Sequence, residues 1–170
     1  LAKATAAISI PLIHVSTDYV FDGALERAYT ETDPVAPTGI YGESKLAGEK
    51  AVAIANPHHV ILRTAWLYSP FGKNFLKTML RLAETGQPLR VVNDQFGNPT
   101  SALDLAQAVL QIRQQIDVEA ERNAWGVYHA AARGVTNWVE FAEAIFIESA
   151  ALNGPTARVE SIPSEAYPTP

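Results

Sequence analysis

The chain has 170 residues, of which 48% are hydrophobic and 18% charged, and its formal net charge is −5. This composition is typical of a globular chain long enough for a real core, and it excludes intrinsic disorder. The negative charge, without any basic cluster, argues against a nucleic-acid polymer as partner. The sequence contains no cysteine, which excludes disulfides, thiolate zinc sites and a cysteine nucleophile.

No apolar run approaches the roughly 20 residues that a membrane helix needs, and no signal peptide is visible. We therefore expect no membrane association and a cytoplasmic location. The sequence starts at Leu1 rather than at a methionine, which predicts a natural N-terminus further upstream.

The first part of the chain alternates between strand-like and helical patterns. The predicted elements are a helix end at residues 1–8, a strand within residues 10–15 that begins at or after Pro11, a loop at residues 21–37, a helix at residues 41–54 and a strand at residues 60–64. Both strands are nearly continuous apolar runs, as expected for strands buried on two faces of a parallel sheet. Strand, crossover helix and strand together form a βαβ unit.

The second part of the chain predicts further alternation of helices and strands. The predicted elements are a helix at residues 74–85, a strand at residues 89–92, a turn-rich loop at residues 94–100, a helix capped at residue 101 that runs to about residue 115, a strand at residues 126–130, a helix from residue 136 or 137 to residue 150 and a strand at residues 158–162. Trp138, Phe141 and Ile145 recur at helical spacing, which favours a core-facing stripe over a cofactor site.

Tyr41 and Lys45 are the first candidate functional pair. Residues four apart on a helix share one face, so both side chains point the same way. A free tyrosine has a pKa of about 10, and a nearby ammonium group favours the phenolate. The pair can therefore act as a general acid or base, although the same spacing often marks a solvated surface pair.

Polar and aromatic side chains follow the two predicted strands of the βαβ unit. Residues 16–19 (STDY) come after the first strand, and Trp66 comes after the second. Ligands of open α/β sheets bind at this carboxyl edge. The Thr17 hydroxyl is thus placed to share a substrate carbonyl oxygen with Tyr41. The alternative interpretations are a capping or turn cluster for residues 16–18 and core packing for Trp66.

These segments together resemble the extended short-chain dehydrogenase/reductase family. The motifs are residues 15–23 (VSTDYVFDG), 37–49 (PTGIYGESKLAGE), 63–68 (RTAWLY), 71–75 (FGKNF), 94–100 (DQFGNPT), 126–129 (GVYH) and 167–170 (YPTP). Within the family, they are most similar to the branch that reduces the 4-keto group of dTDP-4-dehydro-L-rhamnose to dTDP-L-rhamnose.

The resemblance implies a role for each matching residue. Tyr41 would donate the proton to the C4 carbonyl, and Lys45 would hold the nicotinamide ribose and favour the ionised tyrosine. Thr17 would hydrogen-bond the same carbonyl, Asp18 would shape the sugar site, and the flat face of Trp66 would contact the deoxysugar. The cofactor would be NADPH or NADH and the substrate a nucleotide-sugar, and a homodimer is the assembly that the resemblance allows.

The glycine-rich phosphate loop of the family is absent from this sequence. A dinucleotide pyrophosphate needs such a loop and the helix N-terminus behind it. The resemblance therefore predicts an N-terminally truncated α/β chain, with the C-terminal portion of a doubly wound parallel (Rossmann-like) sheet at residues 1–65. Residues 66–170 would be mainly a small α/β substrate-binding region, with some segments returning to the sheet. We expect the chain alone to be inactive.

Two other functions remain open from the sequence. A nucleotide-sugar epimerase or 4,6-dehydratase would share the same family, but dehydratases place a glutamate where this chain has Tyr19. A non-catalytic subunit resembling the regulatory subunit of methionine adenosyltransferase would act through protein contacts. Residues 65–68 and 72–75 favour the reductase over the regulatory subunit.

No metal site is predicted. The four histidines have no ligand spacing, and residues 58–59 are expected in a solvated turn. Some family members dimerise through magnesium, and Leu103–Asp104 matches the corresponding helix start, but the sequence supplies no ligand set.

Overall fold

The computed structural model describes residues 1–118 and 125–167. It divides the chain into two compact units: the first contains Leu1–Ala65 and Asp104–Ala131, and the second contains Trp66–Leu103 and the residues from Ala132 onward. Residues 168–170, part of the last family motif, lie outside the described residues. Over the described ranges, no helix combines the length and apolar character needed to cross a membrane.

The elements follow one another in a mixed α/β order. The helices are α1 (Ala2–Ala7), α2 (Ile40–Ala55), α3 (Phe75–Ala83), α4 (Ala102–Val118) and α5 (Trp138–Ala151), with 3-10 turns at Asp18–Val20 and Ser164–Ala166. The strands are β1 (Leu12–Thr17), β2 (His59–Thr64), β3 (Leu67–Tyr68), β4 (Leu89–Val92), β5 (Phe96–Gly97), β6 (Thr100–Ser101), β7 (Gly126–His129), β8 (Thr136–Asn137) and β9 (Val159–Ile162).

The first unit is built on a parallel sheet in the order β1-β2-β7. The central strand β2 is buried on both faces, with Val60, Ile61 and Leu62 each at most 2% exposed. A strand buried on both faces needs apolar residues at successive positions, which is why its sequence does not alternate. The predicted parallel α/β sheet is confirmed.

Two helices contribute apolar side chains to the core of the first unit. Leu46 of α2 joins a cluster with Val20 and Phe21, and Leu105 of α4 joins another with Val60 and Leu62. The buried positions of α2 are three or four residues apart, as a helix with one inward face requires: Gly42, Leu46, Glu49 and Val52.

Asn56 connects three segments of the first unit. Its side chain is 1% exposed. It donates to Thr5 Oγ1 and to the carbonyl of Ile10, both at 3.0 Å, and accepts from the His58 N–H at 2.9 Å. The amide thereby satisfies its polar atoms while linking α1, the entry to β1 and the entry to β2.

The second unit has its own core. Helices α3 and α5 pack on the parallel pair β4–β9, with Met79, Val91 and Phe146 among the buried side chains. The predicted stripe is confirmed as core at Ile145, which is 7% exposed. Phe141 and Trp138 are only partly buried against this cluster.

Several element boundaries differ from the predictions. The helix predicted at residues 74–85 is shorter, because Asn74 caps it by accepting from the Lys77 N–H at 3.1 Å and Gly86 adopts a φ of 69° beyond its end. The helix predicted at residues 101–115 continues to Val118. The prediction of a solvated turn at residues 58–59 is wrong for His59, which begins β2.

Candidate active site

Thr17 ends β1 with its side chain buried. It is 6% exposed, and its hydroxyl donates to Asp18 Oδ1 at 3.0 Å while accepting from the Tyr19 N–H at 3.3 Å. The capping role that the sequence left open is therefore present, because these bonds close the 3-10 turn. A substrate carbonyl would have to replace Asp18 as the acceptor of the Thr17 proton.

Asp18 sits in a partly desolvated position next to Thr17. Burial raises the pKa of its carboxyl, and the hydrogen bonds from Thr17 and from nearby backbone N–H groups oppose that rise without cancelling it. Keeping the Asp18 carboxylate ionised in the folded protein therefore lowers the free energy of unfolding.

Tyr41 and Lys45 lie one turn apart on α2, as predicted. Lys45 Nζ donates to the carbonyl oxygen of Val15 on β1 at 2.8 Å. Tyr41 is 59% exposed, so the residue is accessible to a ligand. An ammonium group has three donors, and Lys45 uses one of them to fix its position against the strand.

Tyr19 brings the strand end and the helix together. Its ring meets that of Tyr41 edge to face, with centroids 5.8 Å apart and planes at 79°. Burial, followed by the charge of Asp18, raises the pKa of the Tyr19 phenol. The approach depends on Gly42, where a Cβ would lie 2.1 Å from the Tyr19 carbonyl oxygen and 2.9 Å from Pro37 Cβ. Thr17, Asp18, Tyr41 and Lys45 therefore belong to one polar edge.

The structure contains a buried ion pair between α2 and β2 that the sequence patterns do not predict. Arg63 of β2 donates to both carboxylate oxygens of Glu49, at 3.0 and 2.7 Å. Burial alone would raise the pKa of Glu49, but the hydrogen bonds and charge of Arg63 outweigh it and lower that pKa. Two features of the sequence could have indicated this pair: an arginine inside an otherwise apolar strand, and a glutamate one turn after Lys45.

The long loop at residues 21–37 is tied to the sheet. Glu31 Oε1 accepts from the His129 N–H at 2.9 Å, and this bond lowers the pKa of the Glu31 carboxyl. Phe21 stacks on Tyr29, with centroids 4.3 Å apart. The loop is therefore anchored by its own aromatic pair and by β7.

Trp66 belongs to the second unit and is half buried there. Its indole stacks on that of Trp138, with centroids 3.5 Å apart and planes at 9°. A Cβ at Gly97 would lie 2.4 Å from Trp66 Cε2, 2.6 Å from Cζ2 and 2.7 Å from Nε1. Trp138 and the backbone at Gly97 therefore both lie close against the indole, and the contact of Trp66 with a sugar stays a prediction.

Within residues 1–118 and 125–167, no three His, Cys, Asp or Glu side chains gather as metal ligands would. Asp104 lies in the first turn of α4. The described part of the chain therefore contains no ligand set for the magnesium ion that the family resemblance raised.

The parallel sheet, its polar carboxyl edge and the Tyr–Lys helix against it define a Rossmann-like α/β protein. The crystal structure of a dTDP-4-dehydrorhamnose reductase from Clostridium acetobutylicum matches all of this chain and 56% of its own, with a TM-score of 0.89 and 40% identity. The enzyme of that name from Bacillus anthracis, solved in complex with NADP, matches 98% of this chain and 55% of its own, with a TM-score of 0.86 and 36% identity.

The family follows from the sequence match. The RmlD substrate binding domain family matches residues 1–170, and the chain belongs to that family. The dTDP-4-dehydrorhamnose reductase of Sinorhizobium fredii is 46% identical over 170 residues, which is 100% of this chain. The chain spans 57% of the length of that relative.

Proposed function

We propose that the protein catalyses the NAD(P)H-dependent reduction of the 4-keto group of dTDP-4-dehydro-L-rhamnose, giving dTDP-L-rhamnose. The observation that carries the proposal is the placement of Tyr41 and Lys45 on α2 against the carboxyl end of β1, where Thr17 and Asp18 lie. The reductase names of the relatives support the substrate, and the NADP complex of the Bacillus anthracis enzyme supports the cofactor.

Each proposed role fits an observed property of its residue. Tyr41 gives its proton to the C4 oxygen, for which its exposed position is suited. Thr17 donates to the same oxygen once its hydroxyl turns away from Asp18, and Asp18 then faces the sugar as a hydrogen-bond acceptor. Trp66, in the second unit, contacts the deoxysugar.

The residues present fit the nicotinamide end of the cofactor. Lys45 keeps one N–H on Val15 and has two more donors for ribose hydroxyls, and the Tyr41 hydroxyl lies one turn away on the same face. Bound NADPH or NADH would supply the hydride. In the same proposal, the first unit belongs to the dinucleotide-binding part of the protein and the second to the substrate-binding region.

No feature described above favours the dehydratase, the epimerase or the regulatory subunit over the reductase. Tyr19 occupies the position at which a dehydratase would need an acidic side chain, and its raised pKa makes it a poor acid near neutral pH. The epimerase and regulatory-subunit hypotheses receive no support from the relatives described above. A homodimer remains a prediction.

The test is NADPH oxidation with dTDP-4-dehydrorhamnose, using protein expressed from its complete reading frame. Tyr41→Phe should lower kcat by about 100-fold or more, as expected for loss of a general acid. Tyr167→Phe is the matched control and should retain wild-type activity, because Tyr167 lies next to the 3-10 turn at Ser164–Ala166 and takes no proposed role. Full activity of Tyr41→Phe would refute the assignment.

A further inference from the structure

We propose that Trp138 and Gly97 are positioning residues that hold the Trp66 indole edge-on, so that its N–H donates to an oxygen of the sugar. The inference rests on the proposed function for the identity of the sugar, and it concerns residues of the second unit alone. It replaces the face-on stacking expected from the sequence with a directional hydrogen bond.

The backbone at Trp66 is held in an unusual conformation. Its φ is 43°, in the left-handed region that large side chains rarely adopt. The Trp66 carbonyl accepts from the Thr100 N–H at 3.2 Å, and Leu67 immediately enters β3, which pairs with β6. Strained residues of this kind persist only where their surroundings determine them, and they cluster at functional sites.

One face of the Trp66 indole is covered by Trp138. The ring planes differ by only 9° and the centroids are 3.5 Å apart, so the two rings overlap closely. Trp138 is itself fixed, because Phe75 packs against it and its own Nε1 donates to Gln95 Oε1 at 3.2 Å.

The other face is covered by the backbone at Gly97. The Cβ position of Gly97 would be closer to Trp66 Cε2 than to Nε1 or Cζ2. A point in the ring plane, beside the edge and equally far from Cε2, would be closer to Nε1 and Cζ2 than to Cε2. The Cβ position of Gly97 therefore lies above the ring face. Because Trp138 occupies one face, Gly97 lies on the other. The indole is therefore enclosed between a tryptophan and a glycine.

The polar edge of Trp66 has no partner in the part of the chain that the structure describes. The Trp138 indole N–H has an acceptor there, whereas the Trp66 indole N–H has none. Trp66 Nε1 is not fully buried, so it is in part accessible to solvent. Indole N–H groups of packed tryptophans usually find a partner, and a sugar hydroxyl or carbonyl oxygen supplies one.

An edge-on donor selects ligands differently from a flat stacking surface. A ring face accepts any apolar sugar face, whereas a fixed N–H requires an oxygen at one position and direction. Losing such a directional bond should weaken binding of the sugar without affecting the proton donor. Trp138 and Gly97 thus determine specificity through Trp66.

The test follows the indole N–H resonances of the three tryptophans, each identified by its own Trp→Phe replacement. The protein is again the product of the complete reading frame. In the unliganded protein, the Trp66 N–H should exchange with solvent faster than the Trp138 N–H. Adding dTDP-L-rhamnose should shift the Trp66 resonance and slow its exchange.

Two variants displace Trp66 in different ways. Trp138→Leu removes the stacked ring, and Gly97→Ala inserts a Cβ into the indole while leaving Trp138 intact. Both should move the unliganded Trp66 resonance and raise KM for dTDP-4-dehydrorhamnose about 10-fold, the effect of one hydrogen bond, with a smaller change in kcat. Trp125→Phe is the control and should leave both quantities unchanged.

The outcomes separate this inference from the proposed function. If calorimetry shows that dTDP-L-rhamnose binds but the Trp66 resonance does not move, the edge-on contact is refuted. If neither Trp138→Leu nor Gly97→Ala changes the unliganded resonance, the positioning role is refuted. If the ligand does not bind at all, the proposed function and the sugar contact fail together, while the unliganded comparison still decides the positioning role.

Discussion

Glu49 on α2 and Arg63 on β2 form a bidentate ion pair whose side chains are only 5% and 6% exposed. Glu49 lies one turn after Lys45, so the pair fixes the helix that carries Tyr41 and Lys45 to the central strand of the sheet. Arg63 also lies over the ring of Phe21, 5.1 Å from its centroid, and its Nη1 is buried without a partner. The arginine therefore depends heavily on Glu49 for compensation of its charge.

Replacing Glu49 with alanine should destabilise the protein by about 3–5 kcal/mol, because it leaves a buried guanidinium unpaired. Urea denaturation measures the change. Lys50→Ala, on the exposed side of the same helix, should change stability by less than about 0.5 kcal/mol. A loss below about 1 kcal/mol for Glu49→Ala would mean that water reaches Arg63 freely.

Two glycines of α2 should respond in opposite ways to alanine. Gly42→Ala places a methyl group 2.1 Å from the backbone carbonyl oxygen of Tyr19. Because a backbone atom cannot move aside without distorting the chain, we expect the free energy of unfolding to fall by about 1–3 kcal/mol. Gly48→Ala meets only the His14 ring, with Nε2 at 3.7 Å and Cε1 at 4.0 Å, which is ordinary van der Waals contact. It should therefore stabilise the helix by roughly 0.5–1 kcal/mol. Thermal unfolding of the pair provides the comparison, and equal melting temperatures would contradict the close approach at Gly42.

Removing the Asn56 side chain should also be costly. Asn56→Ala leaves the Ile10 carbonyl and the His58 N–H without their partner, and we expect a loss of roughly 2–3 kcal/mol. Asn56→Asp keeps the acceptor for His58 but loses both donors, so it should also destabilise. Amide hydrogen exchange should locate the effect at the starts of β1 and β2, and a uniform loss of protection throughout the chain would argue against a local linking role.

The stability of the protein should depend on pH through Asp18. Its pKa is raised in the folded state by burial, so the ionised form at neutral pH opposes folding, and the penalty fades as pH falls through the folded pKa towards the ordinary value of 3.8. Asp18→Asn should therefore be more stable than wild type at neutral pH, with the difference shrinking as pH is lowered. Denaturation at several pH values tests this, and a difference that grows towards acid would reverse the sign of the argument.

The parts of the fold that were predictable depend on local patterns. The apolar run in β2 and the turn-forming residues around α2 determine those elements with little outside help, and the i, i+4 spacing alone predicts that Tyr41 and Lys45 share one face. The missing N–H of proline predicts that β1 starts at or after Pro11, and it starts at Leu12.

The remaining contacts could not be read from local patterns. Trp66 and Trp138 lie next to two-residue strands that pair with other parts of the second unit, β3 with β6 and β5 with β8. A strand of two residues carries almost no signal of its partner. The helical stripe that contains Trp138 looked like core because periodicity describes a face and does not say what covers it. No local pattern marks Glu49 as buried, since its burial depends on Arg63 from strand β2.

The first unit is interrupted in the sequence, and this matters for how the protein is made. Strand β7 pairs with β2, yet the whole stretch Trp66–Leu103 is synthesised between the strands β2 and β7. A nascent chain that has just completed β2 therefore exposes one edge of a strand meant for burial on both sides, and it must wait for α4 and β7. During translation this edge is a candidate for chaperone binding or for mispairing with another nascent chain.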